Sequence, residues 1–282
     1  MNKVCSRPDV VTTMTEHAGY NEMDRNAINL AVFETATNII RHNQKPLADA
    51  ILDCHLSFEE QTFIISIYYI GKKSKEMKGF ERMIAIIDYD AGNLKSVESA
   101  LENIEAKSMV ITCPAQLSEI SGLIIPGVGS FKTAIDNLKA KGFSKEVISE
   151  FAKTKKVLGI CLGMQIFYDF GTEEGLSTGL GFFSGKVDLL DKAVVTPHMG
   201  WNQLNLAKTS PTTHYLSDND EVYFVHSYQA TCPDDELIAY TTYGEVKIPA
   251  IVGKNNVIGC QFHPEKSGEI GRKILKAFLE EI

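Results

Sequence analysis

From residue 83 to residue 160 the chain alternates short unbroken apolar runs with stretches in which apolar residues recur every three or four positions. The runs at 84–87, 109–111, 122–125 and 157–160 have strand length and no polar alternation, which predicts buried strands of a parallel sheet. A helical period follows the first run, from Leu94 to about Ile104, and returns between and after the later ones. Strands alternating with helices predict an α/β fold built on a doubly wound, mostly parallel sheet. Beyond Gly179 the pattern breaks into shorter strand-like pieces at 187–190, 222–225, 237–242, 250–252 and 257–260. An amphipathic helix from about Gly268 to Leu279 closes the chain, with Ile270, Ile274, Ala277 and Phe278 on one face.

The first 71 residues follow a different pattern. Residues 1–23 are polar and aperiodic; from Asp24, an N-cap candidate, Ile28, Ala31, Val32, Ala36, Ile39 and Ile40 describe one helix face. Alternation at Leu52, Cys54 and Leu56 and again at Phe63, Ile65, Ile67 and Tyr69, with Glu59-Glu60-Gln61 between, predicts a hairpin. Residues 72–82 are charged and without period, as a linker would be. The organisation expected is a small α+β extension over 1–71, a linker over 72–82 and an α/β domain over 83–282. The helix-plus-hairpin, with Glu34 and Asn38 one turn apart, faintly resembles the ATPase domain of histidine kinases and anti-sigma-factor kinases. Tyr69 stands where that family has an acidic residue, so no nucleotide site is expected here.

Composition narrows the function classes. The net charge is −8 and no basic stripe is present, which points away from nucleic acid and anionic membranes. No apolar run approaches membrane-spanning length, and the N-terminus lacks a signal-peptide core. The six cysteines are scattered with no C-x-x-C pair, which argues against a disulfide framework or a zinc site and fits a cytoplasmic protein.

One cysteine stands apart. Cys161 ends the run 157–160, bracketed by Gly159 and Gly163, with a helical pattern beginning directly after it. A strand-to-helix turn of this kind is a nucleophile elbow: strained backbone, exposed reactive atom, small neighbours that let a substrate approach, and a helix N-terminus that favours thiolate. Near the C-terminus, Gln261-Phe262-His263-Pro264-Glu265 follows another strand-like run. If that segment is extended, His263 and Glu265 point the same way and can act as base and orienting carboxylate for Cys161.

Gly159-Ile160-Cys161-Leu162-Gly163 together with His263-Pro264-Glu265 resembles the class I glutamine amidotransferase family. Asp88-Tyr89-Asp90-Ala91-Gly92-Asn93, Pro126-Gly127-Val128-Gly129-Ser130-Phe131, Pro197-His198-Met199-Gly200-Trp201-Asn202 and Phe224-Val225-His226-Ser227-Tyr228 extend the likeness, over 83–282, to the glutaminase subunits of imidazole glycerol phosphate synthase. The resemblance implies glutamine as substrate, Cys161, His263 and Glu265 as the catalytic triad, and an oxyanion hole from the backbone at Val128 and Leu162. It implies glutamine contacts at Gly129, Gln165, Ser227 and Tyr228, and no cofactor or metal. It also implies a separate (β/α)₈ cyclase subunit that receives the ammonia, with Asn93, Trp201, Tyr223 and Lys266 at the interface, and structural or interface roles for His198 and His226. Two other readings remain open at this level: a glutaminase that feeds a sugar amidotransferase, and a non-enzymatic interaction module on the same scaffold.

Overall fold

The computed structural model describes residues 51–59, 62–70 and 82–282. They belong to two units that divide between Gly79 and Phe80. In the first, β1 (Ile51–Glu59) and β2 (Thr62–Ile70) pair antiparallel, with Phe58 opposite Phe63, as the alternation predicts. The helix expected from Asp24, the Glu34 and Asn38 pair, and the linker up to residue 81 lie outside the described residues.

The second unit begins with four strands that end towards one edge: β3 (Met83–Ile87), β4 (Lys107–Ile111), β5 (Gly122–Gly127) and β6 (Lys156–Cys161). Shorter strands follow: β7 (Tyr168–Gly171), β8 (Ser177–Thr178), β9 (Phe183–Leu189), β10 (His198–Gln203), β11 (Asn205–Leu206), β12 (Glu221–His226) and β13 (Tyr228–Thr231). The last three are β14 (Leu237–Tyr243), β15 (Val246–Lys254) and β16 (Val257–Cys260). The helices are α1 (Leu94–Glu102), α2 (Phe131–Ala140), α3 (Lys145–Ala152), α4 (Leu162–Gln165) and α5 (Gly268–Glu280).

The main sheet has eight strands in the order β11-β14-β15-β16-β6-β5-β3-β4. From β16 to β4 every pairing is parallel, and β15, β14 and β11 extend the sheet antiparallel. Both faces are covered: Ala85 and Ile87 pack with Phe131, Leu138, Ile148 and Phe151 of α2 and α3, whereas Ile84 and Ile86 pack with Val97, Leu101, Ile274 and Phe278 of α1 and α5. A strand buried on both faces needs apolar residues at consecutive positions, which is why 84–87 carries no alternation. Ser130 and Ser144 cap α2 and α3 by accepting from the backbone N–H groups of Thr133 and Val147.

Three expectations need correction. The run 109–111 is not fully buried: β4 is the sheet's edge, and only Ile111 lies wholly inside. The helical pattern after Cys161 gives a single turn, because the carbonyls of Ile166 and Phe167 accept from Leu180, Phe182 and Phe183. Those bonds draw the chain into a second sheet, ordered β13-β9-β7-β8, which the apolar pattern did not announce. The two-stranded ribbon β10–β12 was also only half visible, since the inward positions of β10 are His198, Gly200 and Asn202. Among the described residues, no helix is long and apolar enough to cross a membrane.

Candidate active site

Cys161 stands at the end of β6 with φ 54° and ψ −109°, a conformation that L-residues avoid. The glycines around it serve packing rather than substrate approach. A Cβ on Gly163 would sit 1.8 Å from the Ile125 carbonyl oxygen, and one on Gly159 would sit 2.5 Å from the Phe167 ring. The elbow is thus pressed onto β5 as tightly as bare backbone allows. Since α4 spans four residues, it brings little of a full helix dipole to the sulfur. What it brings is the Leu162 N–H, a first-turn donor with no acceptor inside the helix.

His263 and Glu265 meet, though not along an extended strand. The chain leaves β16 at Cys260 and turns through a 3₁₀ turn, Pro264–Lys266, so the side chains are paired by a tight turn. His263 Nδ1 is 2.8 Å from Glu265 Oε1, and both side chains are almost wholly buried. Nε2, the other ring nitrogen, makes no hydrogen bond. Burial works against charge on this imidazole, but Cys161 and Glu265 together outweigh it and hold the pKa up to about 9. Because the folded value exceeds the ordinary 6.5, His263 adds stability below about pH 6.5 and loses that contribution as pH rises through 9. The stability lost on His263→Asn, read by urea unfolding, is therefore expected to be larger at pH 6 than at pH 9.5.

A cavity of about 290 Å³ opens over the sulfur. It brings together Cys161, His263, Val128, Gly129, Leu162, Gln165, Ser227, Tyr228 and Lys266, so the expected oxyanion and glutamine residues share one space. Lys266 lines this cavity although it was expected at the interface. Asn93 is exposed at the start of α1 and, with Glu265, lines a separate cavity of about 380 Å³. Trp201 and Tyr223 face each other across β10 and β12 with ring centroids 6.0 Å apart. Trp201 is 54% exposed, Met199 59% and Val128 47%, an apolar surface uncovered in the single chain.

One site residue was missed. Gln261, fully buried, donates from Nε2 to Cys161 Sγ at 3.7 Å and accepts at Oε1 from Gln165 Nε2 at 3.0 Å. The signal was available: a polar residue directly after a wholly apolar strand and two positions before His263 needs a buried partner. Among the described residues, no cluster of three or more metal-ligating side chains occurs.

The Val128 N–H is already engaged in this conformation, donating to the Ala91 carbonyl at 2.7 Å. The same loop also holds the end of β5 two residues earlier, since buried Tyr89 donates its hydroxyl to the Pro126 carbonyl at 2.6 Å. Two bonds from the loop after β3 therefore hold the chain where β5 ends.

Residues 85–282 match the glutamine amidotransferase class-I family. The chain belongs to the class I glutamine amidotransferase family. Among class I amidotransferases it is 61% identical over 201 residues to the imidazole glycerol phosphate synthase subunit HisH of Lactococcus lactis, covering 71% of this chain and 100% of that protein. It is 44% identical over 201 residues to the HisH of Oceanobacillus iheyensis, again over 100% of that protein. The fold matches a chain of PurLQS from Thermotoga maritima with a TM-score of 0.58 at 19% identity, over 71% of this chain and 98% of that one. A solved glutamine amidotransferase matches with a TM-score of 0.55 at 16% identity, over 70% of this chain and 97% of that one.

Proposed function

We propose that this chain is the glutaminase subunit of an imidazole glycerol phosphate synthase, and that Cys161, His263 and Glu265 carry the hydrolysis of glutamine. The observation that carries the residue assignment is the buried His263–Glu265 pair, whose free imidazole nitrogen shares one cavity with a cysteine on a strained elbow. Cys161 Sγ attacks the side-chain amide carbon, its thiol proton having passed to His263. The imidazolium, with its raised pKa, returns that proton to the departing nitrogen and releases ammonia. A γ-glutamyl thioester remains; water, losing a proton to the now neutral His263, attacks it, and glutamate leaves as the thiol is restored. Glu265 fixes the imidazole with Nδ1 towards itself and Nε2 towards the reaction.

The tetrahedral intermediates need donors for their oxyanion. Leu162 N–H supplies one; Val128 N–H supplies the second after it leaves the Ala91 carbonyl. That peptide joins Gly127 to Val128, and the next residue, Gly129, already sits at φ 109°, so glycines on both sides of Val128 let the strip turn with little backbone cost. A misdirected donor keeps glutaminase activity low until a partner turns the peptide, worth about two to three orders of magnitude by the usual cost of one oxyanion donor.

Ammonia set free in water would be protonated, so the acceptor must lie behind a sealed contact. The exposed Val128, Met199 and Trp201 supply an apolar surface for such a contact, and a (β/α)₈ cyclase subunit is the proposed occupant, with Asn93, Trp201, Tyr223 and Lys266 around the seam. Residues 83–282 form the catalytic domain and residues 1–82 stand outside the chemistry. The HisH relatives support this, because the part of this chain that matches them spans their whole length in about 200 residues.

The test is glutamate release by the full chain alone, with the cyclase, and with the cyclase loaded with its ribonucleotide substrate. Low activity alone and a rise of about a hundredfold or more with the loaded cyclase are expected if an oxyanion donor is being recruited. A chain beginning at Met83 should respond identically. Full activity without the partner would overturn the switch, and stimulation by a sugar amidotransferase instead would reassign the acceptor.

A further inference from the structure

A line of hydrogen bonds runs from β10 to the nucleophile through residues that the triad does not use. Asn202 lies 2.7 Å from His198 Nε2 through its side-chain amide, placed as Oδ1. His198 Nδ1 is 2.9 Å from His226 Nε2. His226 Nδ1 is 2.9 Å from the Tyr228 carbonyl oxygen, which also accepts from Gln165 Nε2 at 2.8 Å. Gln165 in turn reaches Gln261, and Gln261 reaches Cys161 Sγ. His198 is completely buried and its ring is stacked between Phe224 and Tyr243, with centroids 4.7 Å and 4.1 Å away, so it has no room to turn.

Proton counting fixes the direction of this line. A carbonyl only accepts, so His226 Nδ1 must carry a proton; in the neutral ring Nε2 is then a lone pair. His198 must therefore donate from Nδ1, which leaves its own Nε2 as an acceptor. The Asn202 amide has to present its nitrogen there, as the two ends of an amide are told apart by their partners. The opposite orientation would need a third proton on two touching imidazoles. Burial lowers the pKa of both rings, and for His226 burial, then the repulsion of His198 and His263, bring it down to about 3. Both shifts favour a neutral pair, in keeping with the proton count.

We infer that Asn202, His198 and His226 are positioning residues for glutamine: a one-way donor relay, Asn202 to His198 to His226, that holds the Tyr228 carbonyl and through it Gln165 and Gln261 against the substrate cavity. The inference rests on the reading of that cavity as the glutamine site. The side chain opposite the docking surface on β10 is then tied to substrate binding: His226 itself lines the cavity, and His198, which does not, acts through it.

Two measurements on the full chain test it. In nitrogen-15 spectra of labelled histidine at pH 7.5, both rings are expected neutral with the proton on Nδ1; a proton on His198 Nε2, or a charged pair, would overturn the relay. This readout does not depend on glutamine. The second measurement is protection of Cys161 by glutamine against iodoacetamide. His198→Phe keeps the aromatic stack and removes the donor, whereas His198→Asn loses the stack and keeps an amide donor near Nδ1. Half-protection by glutamine is expected to need about fivefold more glutamine in His198→Phe, the usual effect of one lost hydrogen bond, and less than that in His198→Asn. The order of the two variants is the criterion: binding in His198→Phe equal to or tighter than in His198→Asn means a packing role and sinks the proposal. If glutamine fails to protect Cys161 in the unmodified chain, the glutamine site itself is wrong, and the spectra still decide the relay.

Discussion

Cys161→Ala is expected to abolish glutamine hydrolysis, by a factor approaching six orders of magnitude if this triad behaves as a unit in the way other nucleophile triads do. Among the described residues no other cysteine lines the cavity, the exposed Cys113 included. Cys260 is wholly buried in the core with its thiol pKa raised by that burial, and Cys232 is also raised by burial, well above neutrality, to about 11. Alanine at 161 removes only Sγ and keeps the elbow, so glutamine should still bind and the surface around Trp201 should still dock its partner. Steady-state glutamate release, with partner binding measured in parallel, checks both halves. Residual turnover within about tenfold of the unmodified chain would remove Cys161 from the mechanism.

Gly163→Ala is expected to be nearly as damaging to activity, and by a different route. The added methyl would be placed 1.8 Å from the carbonyl oxygen of Ile125 and 2.8 Å from its carbon, both backbone atoms at the centre of the sheet. No rotamer change relieves a clash with backbone, so either β5 and β6 separate or the turn after Cys161 is rebuilt. Separation would break the parallel ladder that pairs Ile125 with Gly159 and Gly127 with Cys161. The expected outcome is loss of stability beyond about 4 kcal/mol, among the largest single-substitution effects, together with loss of hydrolysis. Urea unfolding and glutamate release on the same preparation check it. A fully stable Gly163→Ala chain would mean that the elbow is not packed as described.

Much of this arrangement was legible in the chain because buried parallel strands leave an unmistakable trace. Every position of 84–87 and 157–160 faces one core or the other, so the apolar run and the strand coincide. Cys161, His263 and Glu265 could be named because each sits in a short motif whose residue types have a chemical purpose. The reasons attached to them fared less well. His263 and Glu265 are joined through a 3₁₀ turn, and periodicity along an extended strand would not have placed Nδ1 against the carboxylate. The dipole expected after Cys161 shrinks to one turn because chain pairing further on, at residues 180–183, takes over from residue 166. Strand β10, unlike its partner β12 with buried Val222 and Phe224, escaped the apolar pattern for a related reason. Its inward side chains, His198 and Asn202, are satisfied by each other and by His226, which is held in turn by the Tyr228 carbonyl. Polar residues that are buried as a network look like surface residues when read one at a time.

The most direct test of the account is covalent labelling with a glutamine-shaped electrophile, a chloroketone that carries the amino acid's α-amino and carboxylate groups. The central claim is that glutamine is opened by the Cys161 sulfur, which predicts one label per chain, located on the Cys161 peptide by mass, with glutaminase activity lost in step with labelling and protected by glutamine. Complete labelling of Cys161 with hydrolysis intact, or inactivation by a label on another residue, would contradict it.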